Sequence, residues 1–282
     1  MHEKDTILYI ISKSQEFLKS KGIPNPRLDV EILLSDQLGL ERIKLYSNFD
    51  KKLTEEEKDT FREKIKSRST FKPVAYIIGK KSFYQSEFHV NPSVLIPRPE
   101  TEELIEWVLM ENSVVGSKRV LDMGTGSGCI AITLKLQRPK WEVSGVDISE
   151  QAINTATENA NRILTEGSVN LIQSNWYSNL KDQKFHIIIS NPPYIPLNEK
   201  SLIMPDVLNY EPHLALFVEN PYEFYVSFLK NSLSYLEDSG KIYMETHPDW
   251  AEKICEIGKE FGYKSEIKND YSNKKRMVRL IL

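Results

Sequence analysis

One stretch restricts this chain more than any other: Phe185-His186-Ile187-Ile188-Ile189-Ser190 runs directly into Asn191-Pro192-Pro193-Tyr194. The first six residues, rich in bulky and β-branched side chains, read as a buried strand. Two prolines then stop the ladder, because neither has an N–H and both fix φ. Pro192 also drives Asn191 toward an extended backbone. Open α/β sheets bind ligands at such rigid loops, at the carboxyl ends of buried strands. Asn191 offers a side-chain carbonyl there and Pro192 a backbone carbonyl, a pair of acceptors suited to a planar NH₂ group. Taken alone, the stretch also fits a strand ended by an ordinary Pro-Pro turn. The rest of the chain must decide.

From Arg119 onward, strand patterns alternate with helix patterns. Val120-Leu121-Asp122-Met123 reads as a strand running into Gly124-Thr125-Gly126-Ser127-Gly128, after which Cys129-Ile130-Ala131-Ile132 opens a helix. Glycines at a strand-to-helix turn let backbone approach a ligand, and the helix start presents free N–H groups. A dinucleotide-binding turn has the spacing G-x-G-x-x-G, which would put its third glycine at Cys129; the spacing here is G-x-G-x-G. Trp141 to Val146 reads as the second strand, and Asp147 at its end stands 19 residues after Gly128. A carboxylate in that place accepts both hydroxyls of a ribose; it also suits the cap of the next helix, a role Ser149 can fill instead. Residues 169–173 give a third strand, closed by Ser174-Asn175-Trp176, where an amide and an indole could meet the edge and face of an adenine. The Phe185 stretch is the fourth strand, 241–245 a fifth, and 263–268 with 275–282 a terminal hairpin. Helices are expected at 150–164, 221–236 and 249–261. This βα alternation implies a mainly parallel sheet covered on both faces, with the ligand over the strand ends. His186, inside the strand, reads as a core or surface histidine rather than a base.

The first eighty residues are helical by pattern. Ile7, Leu8, Ile10, Ile11, Phe17 and Leu18 form a stripe within 5–20 that ends at Gly22 and Pro24. Asn25-Pro26 starts a second helix with Leu28, Ile32, Leu33 and Leu38 on one face, and Thr54 to Glu57 is a capping box opening a third that carries Phe61 and Ile65. A small bundle with these residues as its core is the economical solution. Phe83, Tyr84, Phe88 and Val90 suggest a short hairpin joining the two halves. Val94 to Pro99 reads as a stiff extended segment, and Pro99 or Glu100 starts a helix with Leu104, Ile105, Val108 and Leu109 inward.

Bulk properties exclude several classes. Formal net charge is −3; residues 1–90 hold 17 basic and 14 acidic side chains and residues 91–282 hold 20 and 26, so no basic field advertises nucleic acid. Cys129 and Cys255 are the only cysteines, too few for a disulfide framework or a zinc-ligand pattern. Met1 to Asp5 is charged and leads no apolar signal core, and no apolar run is long enough to span a membrane. A cytoplasmic, monomeric protein without metal is expected.

Two of the motifs resemble those of known enzymes. Asp122 to Gly128 is similar to the first motif of class I S-adenosylmethionine methyltransferases, and Asn191-Pro192-Pro193-Tyr194 to the fourth motif of amino-methyltransferases. Val94-Leu95-Ile96-Pro97-Arg98-Pro99-Glu100-Thr101-Glu102 and Tyr210-Glu211-Pro212-His213-Leu214-Ala215-Leu216, with the helical front, resemble the HemK/PrmC family of release-factor glutamine methyltransferases. The resemblance implies a Rossmann-like class I methyltransferase domain at 99–282, with a seven-stranded mixed sheet ending in an antiparallel hairpin. Ahead of it would stand a helical substrate-recognition domain at 1–80 and a β-hairpin linker at 81–98. It implies methyl transfer from S-adenosyl-L-methionine, leaving S-adenosyl-L-homocysteine, to the glutamine amide nitrogen of the Gly-Gly-Gln motif in class 1 peptide chain release factors, which act in translation termination.

By the same resemblance, Gly124, Thr125, Gly126, Ser127 and Gly128 would cradle the cofactor's methionine part, Asp147 its ribose, and Asn175 with Trp176 its adenine. Asn191, Pro192, Pro193 and Tyr194 would hold the substrate, with Asn191 also next to the cofactor; Asn191, Pro192 and Tyr194 would carry the catalysis. Tyr194 either packs on the amide plane or simply closes the pocket. The chain departs from the family at Asn175, where aspartate is usual, and at Val218-Glu219-Asn220-Pro221, which is poorer in glycine. A ribosomal-protein glutamine methyltransferase, a DNA or RNA amino-methyltransferase and a non-catalytic binding module remain alternatives.

Overall fold

The computed structural model describes residues 4–112, 115–181 and 183–282. Met1 to Glu3, read above as part of a charged start, lie outside the described residues. The chain forms two compact units, one comprising the residues through Gly79 with Met204–Tyr210, the other Lys80–Ile203 with Glu211–Leu282.

In the first unit, helices α1 (Ile7–Ser20), α2 (Pro26–Leu38), α3 (Arg42–Tyr46), α4 (Glu55–Ser69) and α5 (Val74–Ile78) surround an apolar core. Local chemistry sets their starts. Thr6 Oγ1 accepts from Tyr9 N, and Thr54 and Glu57 exchange both capping-box bonds at 2.7 and 3.2 Å. The buried stripe of α1 is Ile7, Ile11 and Leu18, while Phe17 points outward. On α2 the buried face is Val30, Leu33 and Leu34, and Leu28 is exposed. The rotation has a polar cause. Asp29 and Glu31 are buried because Arg68 Nε donates to Asp29 at 2.7 Å and Tyr46 Oη donates to Glu31 at 2.7 Å. A buried carboxylate must be paired, and pairing these two fixes which face of α2 turns inward.

The second unit opens with the hairpin β1 (Lys80–Phe83) and β2 (Ser86–His89) and helix α6 (Pro99–Glu111). Strands β3 (Arg119–Met123), β4 (Glu142–Asp147), β5 (Val169–Gln173) and β6 (Phe185–Ser190) follow, separated by α7 (Cys129–Gln137) and α8 (Glu150–Ile163). A two-stranded ribbon pairs β7 (Ile195–Pro196) with β8 (Phe217–Val218); between them lie α9 (Pro205–Tyr210), which belongs to the first unit, and α10 (His213–Leu216). Helices α11 (Pro221–Ser232) and α12 (Ala251–Glu260) flank β9 (Leu236–Glu245), and β10 (Lys264–Asn269) with β11 (Lys275–Ile281) close the sheet. The strand order is β10-β11-β9-β6-β3-β4-β5, parallel except at β11, which runs antiparallel to both neighbours. This is the seven-stranded mixed sheet with a terminal hairpin.

The sheet is buried on both faces, so its strands alternate between two cores. Val120, Ile187 and Ile189 face α6, α7 and the hairpin, whereas Leu121, Met123, Phe185 and Ile188 face α11 and α12. The chain builds outward from β3 to β4 and β5, then returns to place β6 on the other side of β3. That reversal opens a crevice between the carboxyl ends of β3 and β6.

Two boundaries differ from the sequence reading by more than two residues. The helix expected over 221–236 ends at Ser232, and β9 starts at Leu236, ahead of the expected 241. Asp238-Ser239-Gly240 looks like a turn, but Ser239 takes a positive φ of 60° and the strand passes through an irregularity opposite Phe185–Ile187. His186 is structural, its Nδ1 accepting from Arg119 N at 3.0 Å.

One side chain ties three elements together. Asn159 of α8, fully buried, accepts from His89 N at 2.7 Å and donates to His89 O and Ser127 O, each at 2.9 Å. It pins both the hairpin and the glycine turn. Asn159→Ala leaves these buried backbone groups without partners, at a cost of about 3 kcal/mol. Melting followed by circular dichroism should show Tm lowered by roughly 6–12 °C; a fall under ~2 °C would show that the clamp is dispensable.

Candidate active site

The turn after β3 is built on three left-handed residues, Gly124, Gly126 and Gly128, with φ of +76°, +54° and +81°. A side chain at each would be strained, which accounts for the G-x-G-x-G spacing. Asp122, wholly buried, organises the turn from below: its Oδ2 accepts from Thr125 Oγ1 at 2.6 Å and from Ala131 N at 3.1 Å. Burial pushes its carboxyl up to about 7 against the pull of those two donors. Gly124 N and Thr125 N donate to Val146 O at 2.8 and 2.9 Å, joining the turn to β4.

Asp147, at the end of β4, accepts from Gly126 N at 2.9 Å and Ser149 N at 3.0 Å. Ser149 itself caps α8, its Oγ accepting from Ala152 N at 3.2 Å, so Asp147 is not needed as the cap. Burial raises the pKa of Asp147 from its ordinary value, and its carboxylate lines the cleft. Asn175 is exposed at the cleft edge, and Trp176, at φ +54°, lies against Phe224 and Phe228 with ring centres at 5.2 and 5.4 Å. Phe224 and Phe228 also line the cleft, an aromatic wall that the sequence reading had not identified.

The cleft ends at Asn191. Its Nδ2 donates to Thr101 Oγ1 at 3.0 Å, and Thr101 Oγ1 donates to Glu245 Oε2 at 2.7 Å. Asn191 Oδ1 is buried and has no hydrogen-bond partner. A buried amide oxygen without a donor is costly in a folded protein, and a donor from a bound group would relieve that cost. Pro192 and Pro193 line the cleft beside it. Tyr194 does not line the cleft. Its hydroxyl donates to Glu245 Oε1 at 3.2 Å, which anchors the loop from its far end. The structure thus brings together Gly124 to Ser127, Asp147, Asn175, Trp176 and Asn191 to Pro193 around one cleft, with Tyr194 in support; Gly128 is outside the lining, close against Ile132 and Ala156 of α7 and α8.

The cleft sits at the topological switch between β3 and β6, and the comparisons with known proteins agree on what such a chain is. A family model described as the PrmC N-terminal domain matches residues 10–79, and one described as the methyltransferase small domain matches residues 101–207. The release factor glutamine methyltransferase of Leptospira interrogans serogroup Icterohaemorrhagiae serovar Lai (strain 56601) is 48% identical over 282 residues, covering 99% of each chain. This chain belongs to the release factor glutamine methyltransferase family. A bifunctional methyltransferase of Rickettsia typhi (strain ATCC VR-144 / Wilmington) is 35% identical over 98% of this chain, which spans 57% of that longer protein. A methyltransferase from Pyrococcus furiosus shares the fold at a TM-score of 0.54 and 18% identity, over 71% of this chain and 91% of that one.

For a member of this family, several residues of the site carry signals that the sequence reading did not use. Glu245 closes an apolar strand with a carboxylate, as Asp122 and Asp147 do near their strand ends, and pairing of Ser190 with Met244 puts it level with Asn191. Arg98 and Glu211 come from the two stretches that had no assigned chemistry. They form an ion pair at 2.6 Å, and Glu211 also accepts from Ile96 N at 3.1 Å. Together they tie the extended Ile96–Arg98 segment to the chain beyond α9. Gly145 was also missed. A Cβ there would lie 2.7 Å from Thr125 Oγ1 and 2.9 Å from Leu171 Cδ2. Gly145→Ala must therefore displace Thr125 from Asp122, an overpacking cost of about 1–3 kcal/mol. Urea unfolding measures it; a variant as stable as its parent would mean that the floor of the turn has room.

Proposed function

We propose that this protein transfers the methyl group of S-adenosyl-L-methionine to the side-chain amide nitrogen of the glutamine in the Gly-Gly-Gln motif of class 1 peptide chain release factors. One observation carries this reading: Asn191 Oδ1 is buried and unpartnered, while Nδ2 of the same amide is already committed to Thr101. An acceptor so placed fits an NH₂ donor. The helical first unit, matched by the PrmC N-terminal domain model, supports a protein substrate over a nucleic-acid base. We assign to that unit the recognition of the release factor and to the second unit the chemistry.

The residues of the cleft fit the cofactor. Gly124 and Gly126 present left-handed backbone without a side chain to the cleft, Asp147 offers carboxylate lone pairs to ribose hydroxyls, and Trp176 offers an indole beside an adenine. Asn175 accepts from an adenine amine through its carbonyl, without the charge of an aspartate. When bound, S-adenosyl-L-methionine supplies a methyl group made electrophilic by its sulfonium.

The protein's own residues solve a different problem. An amide nitrogen is a poor nucleophile because its lone pair is delocalised into the carbonyl. Asn191 Oδ1 and the Pro192 carbonyl would accept the two amide hydrogens, polarising the nitrogen and fixing the plane of the NH₂ group. That is catalysis by orientation and electrostatics. The Asn-Pro-Pro-Tyr loop has no side-chain base, and the Tyr194 phenol is pushed above its ordinary pKa by burial, so it stays protonated. The nitrogen's proton therefore leaves late, to water.

Loss of a preorganised polar contact at a reacting centre typically lowers kcat by about 10²–10³. Asn191→Ala should show a loss of that size on a purified release factor, with cofactor affinity within a few-fold of wild type. Near-normal turnover would remove Asn191 from the reaction. Asp147→Ala should raise the cofactor Kd by ~10–100-fold, since hydrogen bonds to charged groups contribute roughly 1.5–3 kcal/mol each. Isothermal titration calorimetry measures this, and an unchanged Kd would take Asp147 out of the ribose site.

A further inference from the structure

Asn191 can act as an acceptor only while its amide is held one way round, and the residues that hold it lie on two other elements. Thr101 is in the first turn of α6, 90 residues before Asn191, and Glu245 ends β9. Thr101 and Glu245 are both almost wholly buried. A carboxylate can only accept, so Thr101 must give its single hydroxyl hydrogen to Glu245 Oε2. The oxygen of Thr101 then faces Asn191 with lone pairs alone, and only Nδ2 can satisfy it. Resting on the function proposed above, we infer that Thr101 and Glu245 are positioning residues, a hydrogen-bond relay that fixes the Asn191 amide with Oδ1 toward the substrate nitrogen.

The relay has a polarity, and the charge of Glu245 sets it. Once protonated on Oε2, Glu245 becomes a donor to Thr101. The Thr101 hydroxyl hydrogen is then free to bond Asn191 Oδ1 after a half-turn of the amide. The turned amide presents Nδ2 to the cleft, where it opposes an incoming NH₂ group. The groups facing Glu245 are Glu100 and Thr101 on α6, Tyr194 on the loop after β6, Arg276 on β11 and Cys129 on α7. Burial and Glu100 push its carboxyl up, Thr101, Arg276 and Tyr194 oppose them, and the balance stands at about 7. The carboxylate is the competent form, so activity rises with pH through that value and falls below it.

Three variants and one spectrum test this. Thr101→Val keeps the shape and removes the hydroxyl: kcat should fall about 10²-fold with cofactor Kd within threefold of wild type, and Thr101→Ser should restore most of the rate. In wild type kcat should fall on the acid side of pH ~7, and that limb should disappear in Thr101→Val and in Glu245→Gln. Retention of near-normal kcat by Thr101→Val, or persistence of the limb in Glu245→Gln, would overturn the relay. In ¹⁵N-asparagine-labelled protein, the side-chain signal of Asn191, identified by its loss in Asn191→Asp, should titrate with a midpoint near 7 in wild type and stay fixed in Glu245→Gln. A signal unmoved by pH overturns the relay whatever the substrate proves to be. Wild-type protein that leaves release factors unmethylated counts against the function instead.

Discussion

The structure of this site depends on how one side-chain amide is satisfied. Asn191 has a donor end and an acceptor end, and the fold uses only the first, against Thr101. The second is buried without a partner. Unpaired buried acceptors destabilise a protein, so this arrangement costs free energy until a donor arrives. The rest of the second unit explains how the cost is sustained. Asn191 follows β6, a strand buried on both faces, and two prolines deny the loop alternative conformations. Tyr194 anchors the loop's far end to Glu245.

Placement of the proposed methyl-donor site follows from topology. Because β6 lies directly beside β3, the glycine turn and the Asn-Pro-Pro loop emerge side by side. Asp122 and Asp147 act on that turn from two strands. The first holds it through Thr125 and Ala131, the second through Gly126 while keeping its carboxylate in the cleft. Asn159 adds a third hold through Ser127. A turn rich in glycine is flexible in isolation, and these buried polar contacts make it rigid.

Much of this could be read from the sequence, and the physical reason is specific. Glycine, proline and a strand-ending acid act on the backbone next to them, so the turn at Gly124–Gly128, the stop at Pro192 and the carboxylate at Asp147 announce themselves locally. Glu245 carries the same strand-end signal, but Thr101 does not. A threonine in the first turn of a helix is unremarkable until folding joins it to Glu245, 144 residues away. Phe17 and Leu28 failed for a related reason. Their helices carry more apolar residues than one face can bury, and only the pairing of Asp29 and Glu31 decides which face of α2 is inside. Ser239-Gly240 has the composition of a turn, but the pairing of β9 with β6 overrides it.

The central claim is that Asn191 receives a glutamine amide through its carbonyl oxygen. It is tested most directly by a crystal structure of this protein with S-adenosyl-L-homocysteine and a release-factor domain bearing an unmethylated Gly-Gly-Gln loop. The account predicts the glutamine Nε2 at about 2.9 Å from both Asn191 Oδ1 and the Pro192 carbonyl, with Nδ2 still bonded to Thr101. A glutamine bound elsewhere, or an Asn191 amide turned to present Nδ2, would contradict it.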